Sequence, residues 1–383
     1  MRFLFSTAPL HGHLYPLVPL AWACRARGHE VLVATTNHFV PAAQQTGLPV
    51  AGCGPGFDLW ELADAGAAYG VADAPRDHGE VLALMASRNL AGTLSIVDQW
   101  RPDLVVAERS EYAGPVAAAA RGIPYAEVHW GVSELVEYRA AARSRLADPL
   151  REHGLTGLPE PAAVFNPWPP SLRQSYAMDH LGLRHVPYDG ASPVPDWMLS
   201  PADRPRICLT LGTILPHLAK DNLTSFVLDL LDELARLGVE VIVAVDDEFA
   251  KRLPRVPSAV RHVGRVPLSQ VLRTSQILIH HGGQGSSLTA LASGCVQVVM
   301  PKFDDMFANA DAVVASGAGL SVPLDKATPD DVAGLCRELL ADPGFGAAAL
   351  RVSREIQAQP APVDAARVLE DLASRSRRGT ADE

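Results

Sequence analysis

The chain of 383 residues, 48% hydrophobic and 20% charged, is long enough for two or three domains with their own cores and carries no disorder signature. Its formal net charge of -10 argues against a general nucleic-acid role, which needs phosphate neutralisation. The cysteines at 24, 53, 208, 295 and 336 are scattered, with no Cys-x-x-Cys spacing, which argues against a disulfide framework and a structural zinc.

In chain order, Arg2 to Ala8 is predicted as a first buried strand rather than a leader, because its apolar run is too short and no cleavage pattern follows. No stretch approaches the roughly 18 consecutive apolar residues of a membrane helix. A cytoplasmic protein without a membrane partner is expected. The turn through His11, Gly12 and His13 leads into a helical pattern from Leu14 to Arg27, closed by Gly28, and Glu30 to Thr35 reads as a second strand. This is a βαβ unit without the Gly-x-Gly-x-x-Gly of dinucleotide binding. Residues 51 to 90, rich in Gly, Ala and Asp, are expected as loops and short helices over the sheet mouth. Strand Asp103 to Ala107, helix Tyr112 to Arg121 and strand Pro124 to His129 then restore the alternation.

Prolines cluster from Pro159 to Pro205 and mark a boundary. Beyond it come strand Arg206 to Leu211, a helix from about Ala219 to Leu237, and strands at Val239 to Val245, near Ile277 and at Val296 to Met300. The expected architecture is α/β, with two Rossmann-like doubly wound parallel-sheet domains facing across a cleft. The N-terminal domain takes 1–190, a proline-rich linker 191–205 and the C-terminal domain 206–360, with a last helix over 363–378 packing back on the first domain.

Ligands of such sheets sit at the carboxyl ends of the strands. His13 stands there after the first strand, and an imidazole with a pKa of about 6.5 can accept a proton at neutral pH. The plainer alternative is that His13, or His11 beside it, merely caps the helix or binds a carbonyl. Glu108 follows the strand Asp103 to Ala107 and can reach His13; Glu111 is the fallback, and both can be solvated loop carboxylates. The stretch Ile277 to Gly317, ILIHHGGQGSSLTALASGCVQVVMPKFDDMFANADAVVASG, reads as strand, glycine turn and helix. Its helix start offers N–H groups and partial positive charge to a phosphate or diphosphate, with His281, Gly283, Gly285, Ser286 and Ser287 around it. Asp305 lies at the next strand end, where a carboxylate can bind sugar hydroxyls, or, with Asp304, cap the helix from Phe307 to Ser316. Phe57, Trp60, Tyr69 and Trp130 are candidates for an apolar acceptor site, with plain core as the alternative.

HGHLYPLVPLAWACRARGHEVLVAT, YDGASPVPDW, LTLGT and HHGGQGSSLTALASGCVQVVMP resemble the inverting nucleotide-sugar glycosyltransferases of the two-Rossmann-domain type (GT-B), in particular the actinobacterial enzymes that attach deoxysugars to antibiotic aglycones. The resemblance runs from residue 1 to about 373. It implies that His13 is the base that deprotonates the acceptor and that Glu108 stands where an aspartate is usual. It also implies that Thr213, His281, Gly283, Gly285, Ser286 and Ser287 hold the diphosphate, with Gly12 beside the donor and Gly264, Arg265 and Val266 against the nucleobase. No metal and no cofactor would be needed, only a nucleotide-sugar co-substrate. In the Asp-Gln pair usual after the strand, Asp305 is kept and Met306 replaces the glutamine. A thioether cannot donate to a hydroxyl, so a deoxyhexose donor carried on dTDP and an apolar aglycone acceptor are expected. A C-glycosyltransferase, a nucleotide-sugar epimerase or hydrolase, a non-catalytic nucleotide-sugar-binding partner and a homodimeric assembly are alternatives left open.

Overall fold

In the computed structural model, residues 1–54, 74–200, 202–213, 215 and 223–379 are described. Two all-parallel sheets organise them. The first runs β3-β2-β1-β4-β5-β6-β7, with β1 Arg2–Ser6, β2 Glu30–Thr35, β3 Val50–Gly52, β4 Leu104–Glu108, β5 Tyr125–Val128, β6 Ala163–Asn166 and β7 Leu181–Gly182. The second runs β10-β9-β8-β11-β12-β13, with β8 Arg206–Thr210, β9 Glu240–Ala244, β10 Val260–Gly264, β11 Ile277–His280, β12 Val296–Val299 and β13 Gly319–Ser321. In each sheet the chain winds outward from a central strand, then crosses to the other side. The reversals fall between β1 and β4, where Phe3 pairs with Leu104, and between β8 and β11, where Ile207 pairs with Ile277. A crevice opens at the carboxyl end of each reversal, the usual ligand position in such sheets.

The central strands are buried throughout because both faces are covered: β4, β8, β11 and β12 contain only buried residues. Alternate residues divide the first domain's core. Phe3, Phe5, Val31, Val33, Leu104 and Val106 face one side with Leu17, Leu20 and Cys24 of the first helices. Leu4 and Val105 face the other with Ala83, Ala86, Leu90 and Val97. Among the described residues no helix is long and apolar enough to cross a membrane.

The region 51–90 departs from expectation. From Ala74 onward it belongs to one helix, Ala74–Trp100, instead of loops and short helices. The buried Val81, Leu82, Met85, Ala86, Leu90 and Val97 carry its helical period, which the glycines obscured. Gly92 is an approach point, since a Cβ there would stand 1.8 Å from the Cys53 carbonyl oxygen. β6 and β7 lie within the proline-rich run, between prolines rather than at them. The start of the first predicted helix is also broken up, into His11–Leu14, a 3₁₀ turn Tyr15–Leu17 and Val18–Ala26.

The last helix, Pro362–Gly379, leaves the second domain and buries Ala365, Ala366, Leu369 and Ala373 in the first domain's core. Glu370 takes a forked pair of hydrogen bonds from Arg27 at 2.6 and 2.7 Å and another from His29 Nε2 at 2.5 Å. Leu369 is fully buried. Leu369→Ala is therefore expected to cost about 2–5 kcal/mol, read as a lower denaturation midpoint for the first domain.

Candidate active site

β1 ends at Ser6, and the chain turns through Leu10 into the short helix His11–Leu14, which sets His13 over the crevice between β1 and β4. Glu108 is the last residue of β4. His13 Nδ1 donates to Glu108 Oε1 at 3.0 Å, with the glutamate side chain 1% exposed and the histidine 13%. The other carboxylate oxygen accepts from Ser110 N and Ser110 Oγ, both at 2.8 Å, and from Trp130 Nε1 at 2.7 Å. Burial alone would raise the Glu108 carboxyl. The His13 imidazole and the hydrogen bonds from His13, Ser110 and Trp130 outweigh it and hold the group below the ordinary carboxylate range. The extra methylene of Glu108 thus finds a full set of donors.

Glu111, the fallback partner, and the neighbouring His11 both make their contacts elsewhere. Glu111 accepts from Ala113 N at 2.9 Å and Gly114 N at 2.8 Å at the start of the helix Ala113–Ala119, and burial pushes its carboxyl up to about 7. His11 packs edge-on against Tyr15 and Phe39, and burial, then the nearby Arg265 charge, lower its pKa. Trp130 packs at a tilt against His13 with ring centroids 4.8 Å apart, and the Arg109 guanidinium lies over the Trp130 ring at 5.7 Å while donating to the Trp130 and Ser133 carbonyls at 3.0 and 2.7 Å. Sequence reasoning gave Trp130 to the acceptor; its indole N–H on Glu108 went unseen, as did Ser110, whose position two residues after the carboxylate was the available signal. Phe57, Trp60 and Tyr69 lie outside the described residues.

Across the cleft, β11 delivers His280 and His281 to opposite sides. His280 is wholly buried: it accepts from Gly282 N at 3.1 Å through Nδ1 and donates to Gln297 Oε1 at 2.9 Å through Nε2. His281 lines the cleft, and burial lowers its pKa to about 4, so its ring is neutral at pH 7. Its place depends on two glycines. A Cβ at Gly212 would stand 2.3 Å from its Cε1, and one at Gly283 2.5 Å from its Nε2. The helix Gln284–Ser293 starts without a side-chain cap, which leaves its first N–H groups to the cleft beside Gly285 and Ser286.

One cavity of about 380 Å³ joins the two sides. Gly12, His13 and Trp130 line it from the first domain; Thr213, Val266, His281, Gly283, Gly285, Ser286, Asp305 and Met306 line it from the second. Glu108 stands behind His13 rather than in the lining, and Gly264, Arg265 and Ser287 are also outside it. Ser287 is fully buried and its hydroxyl donates to the Gly283 carbonyl at 3.2 Å, the ordinary back-bond of a helical serine. Arg265 is exposed and not part of the lining. The capping alternative for the aspartates also fails: the helix is Asp305–Ala315, and Asp304 at its cap makes no capping bond. Asp305 Oδ2 accepts from Asn309 Nδ2 at 2.7 Å. Burial, then the adjacent Asp304 charge, raise the Asp305 carboxyl to about 6. Met306 is 3% exposed and forms an apolar wall next to it.

Two parallel-sheet domains, each lending residues at its strand reversal to a shared cavity, form an architecture of the GT-B type, and the chain's family and relatives are glycosyltransferases. The chain belongs to the family described as erythromycin biosynthesis protein CIII-like, whose N-terminal domain matches residues 22–212 and whose C-terminal domain matches residues 228–372. It is 38% identical to an L-demethylnoviosyl transferase of Streptomyces niveus, over 99% of this chain and 100% of that one. Among solved structures it resembles the glycosyltransferase SsfS6 of Streptomyces sp. SF2575 complexed with thymidine diphosphate, at 32% identity and a TM-score of 0.84 over 97% and 99% of the two chains. The spinosyn rhamnosyltransferase SpnG complexed with spinosyn aglycone is similar at 31% identity and a TM-score of 0.85, over 97% and 100%.

The raised Asp305 carboxyl has a consequence for stability. The fold holds this proton more tightly than the unfolded chain, whose value is about 3.9, so Asp305 costs stability as pH rises from there through about 6. Asp305→Asn is expected to raise Tm at pH 7.5, with the gain fading as pH falls toward 4; a gain independent of pH would contradict the shift.

Proposed function

We propose that this glycosyltransferase moves a deoxyhexose from a thymidine-diphosphate donor to a hydroxyl of an apolar natural-product aglycone, with inversion at the anomeric carbon. The observation that carries this reading is the buried His13–Glu108 pair, 3.0 Å apart, facing an uncapped helix start across one cavity. With Nδ1 engaged by Glu108, His13 has Nε2 left for the acceptor. It takes the hydroxyl proton as the oxygen attacks the anomeric carbon, and the bond to the diphosphate breaks. Glu108 fixes the tautomer and stabilises the imidazolium that forms.

The leaving diphosphate receives no metal in this scheme. Charge develops where the N–H groups of Gly285 and Ser286, the Ser286 and Thr213 hydroxyls and the helix dipole converge. His281, neutral at pH 7, contributes a hydrogen bond rather than a charge. Val266 packs against the base, with Arg265 outside the lining. The thymidine diphosphate bound by SsfS6 supports the choice of nucleotide, and the aglycone bound by SpnG supports the acceptor class.

Asp305 accepts a sugar hydroxyl, and the Met306 wall beside it favours a sugar lacking one. A hydroxyl buried there without a partner costs about 1–3 kcal/mol, or about 5- to 150-fold against a fully hydroxylated hexose. The apolar Leu10, Val81, Leu82 and Phe303 complete the acceptor side. Incubation with a panel of thymidine-diphosphate sugars and aglycones, followed by mass spectrometry, is expected to give deoxyhexosyl products. His13→Ala is expected to reduce transfer by about 10²- to 10⁴-fold with thymidine diphosphate affinity unchanged. Transfer of glucose alone, or full turnover in that variant, would contradict the reading.

A further inference from the structure

The two adjacent aspartates after β12 face different ways. Asp305 stays with its own helix through Asn309, whereas Asp304 crosses to the other domain. Its Oδ2 accepts from His78 Nδ1 at 2.5 Å and from the Tyr138 hydroxyl. His78 belongs to the helix Ala74–Trp100 and Tyr138 to the helix Val136–Arg145, both in the first domain. The His78 and Asp304 side chains are 9% and 4% exposed, and all three residues line the cleft. Phe303 closes on His78 edge-on at 5.5 Å.

Asp304 has φ 55° and ψ −132°, a backbone conformation that L-residues rarely adopt. A strained residue persists only where its surroundings hold it, and here the holding bonds come from across the cleft. Its Oδ1 is buried and has no hydrogen-bond partner among the described residues. Capping its own helix would have satisfied the carboxylate locally. The side chain is used instead as a bridge.

We infer that His78, Asp304 and Tyr138 form an interdomain clasp that sets Asp305 against the donor sugar, coupling the acceptor-side helix to the sugar-side loop. The inference rests on the proposed reading of Asp305 as a hydroxyl ligand. Adjacent Cα atoms are held about 3.8 Å apart, so Asp304 cannot shift without moving Asp305. The first domain reaches the same place a second time: a Cβ on Gly131 would stand 3.0 Å from Asp305 Oδ2. Asp304 and His78 are therefore positioning residues, acting on the sugar through Asp305.

The test measures donor KM, thymidine diphosphate affinity and thermal unfolding for the wild type, His78→Ala, Asp304→Ala, the double variant and His78→Asn. Each alanine variant is expected to raise the KM for the deoxysugar donor about tenfold, with thymidine diphosphate affinity unchanged. The double variant is expected to do no worse than either single one. His78→Asn, whose amide N–H stands near the imidazole Nδ1 position, is expected to regain most of the loss. Effects that multiply in the double variant, or a lowered Tm with donor KM unchanged, overturn the clasp. Absence of transfer by the wild type with every donor counts against the proposed function instead. The clasp is then decided by the thermal-unfolding cycle, where non-additive losses support it and additive losses overturn it.

Discussion

A carboxylate in a nearly dry crevice is the constraint around which the first domain's site is built. Removed from water, an ionised Glu108 is tolerable only if its oxygens are paired. The chain meets that demand from four directions: the helix after β1 through His13, the turn after β4 through Ser110, the loop after β5 through Trp130, and Ala8 N at 3.3 Å. Each donor is anchored in turn. Arg109 ties the Trp130 to Glu134 loop through three of its carbonyls. The same pairing that makes the burial affordable leaves one imidazole nitrogen free for the cleft, so stability and chemistry are served by one arrangement.

The proposed reading asks the opposite of the second domain, which would receive the negative charge of a diphosphate. Its tools are backbone geometry and a neutral ring. Gly212 and Gly283 give up side chains so that His281 can lie between them, and Gly283 leaves the next helix uncapped. The domains are then registered by polar contacts rather than by apolar packing alone. Gln284 accepts from Gly131 N at 2.6 Å and Trp168 Nε1 at 3.1 Å, while Asn309 accepts from Val132 N at 3.0 Å. Buried amides of this kind demand a single geometry, because a slip of either domain leaves them unpaired.

What was legible in the sequence was local and periodic. The βαβ alternation, the strand ends and the glycine turn at 282–285 showed the architecture, the position of His13 and the uncapped helix start at Gln284. The helix Ala74–Trp100 was hidden because its glycines are packing contacts, visible only once Cys53 is placed against Gly92. The short β3, β7 and β13, of three, two and three residues, carry too few residues for a period-two pattern. Residues acting on partners distant in the chain were the least legible: Trp130 read as an acceptor wall and Asp304 as a cap, and only the fold brings each to its partner. Ser287 shows the converse, a hydroxyl in the right motif turned into its own helix.

In the proposed reading Glu108 stabilises the His13 imidazolium as well as orienting the ring, and Glu108→Gln removes the charge while turning an amide N–H₂ onto donors that the carboxylate accepted from. The measurement is the single-turnover rate of sugar transfer at saturating donor and acceptor, alongside thymidine diphosphate affinity. The expected result is a loss of about 10²- to 10⁴-fold in rate with affinity unchanged. A variant rate within a few-fold of the wild type would contradict the assigned role of the pair.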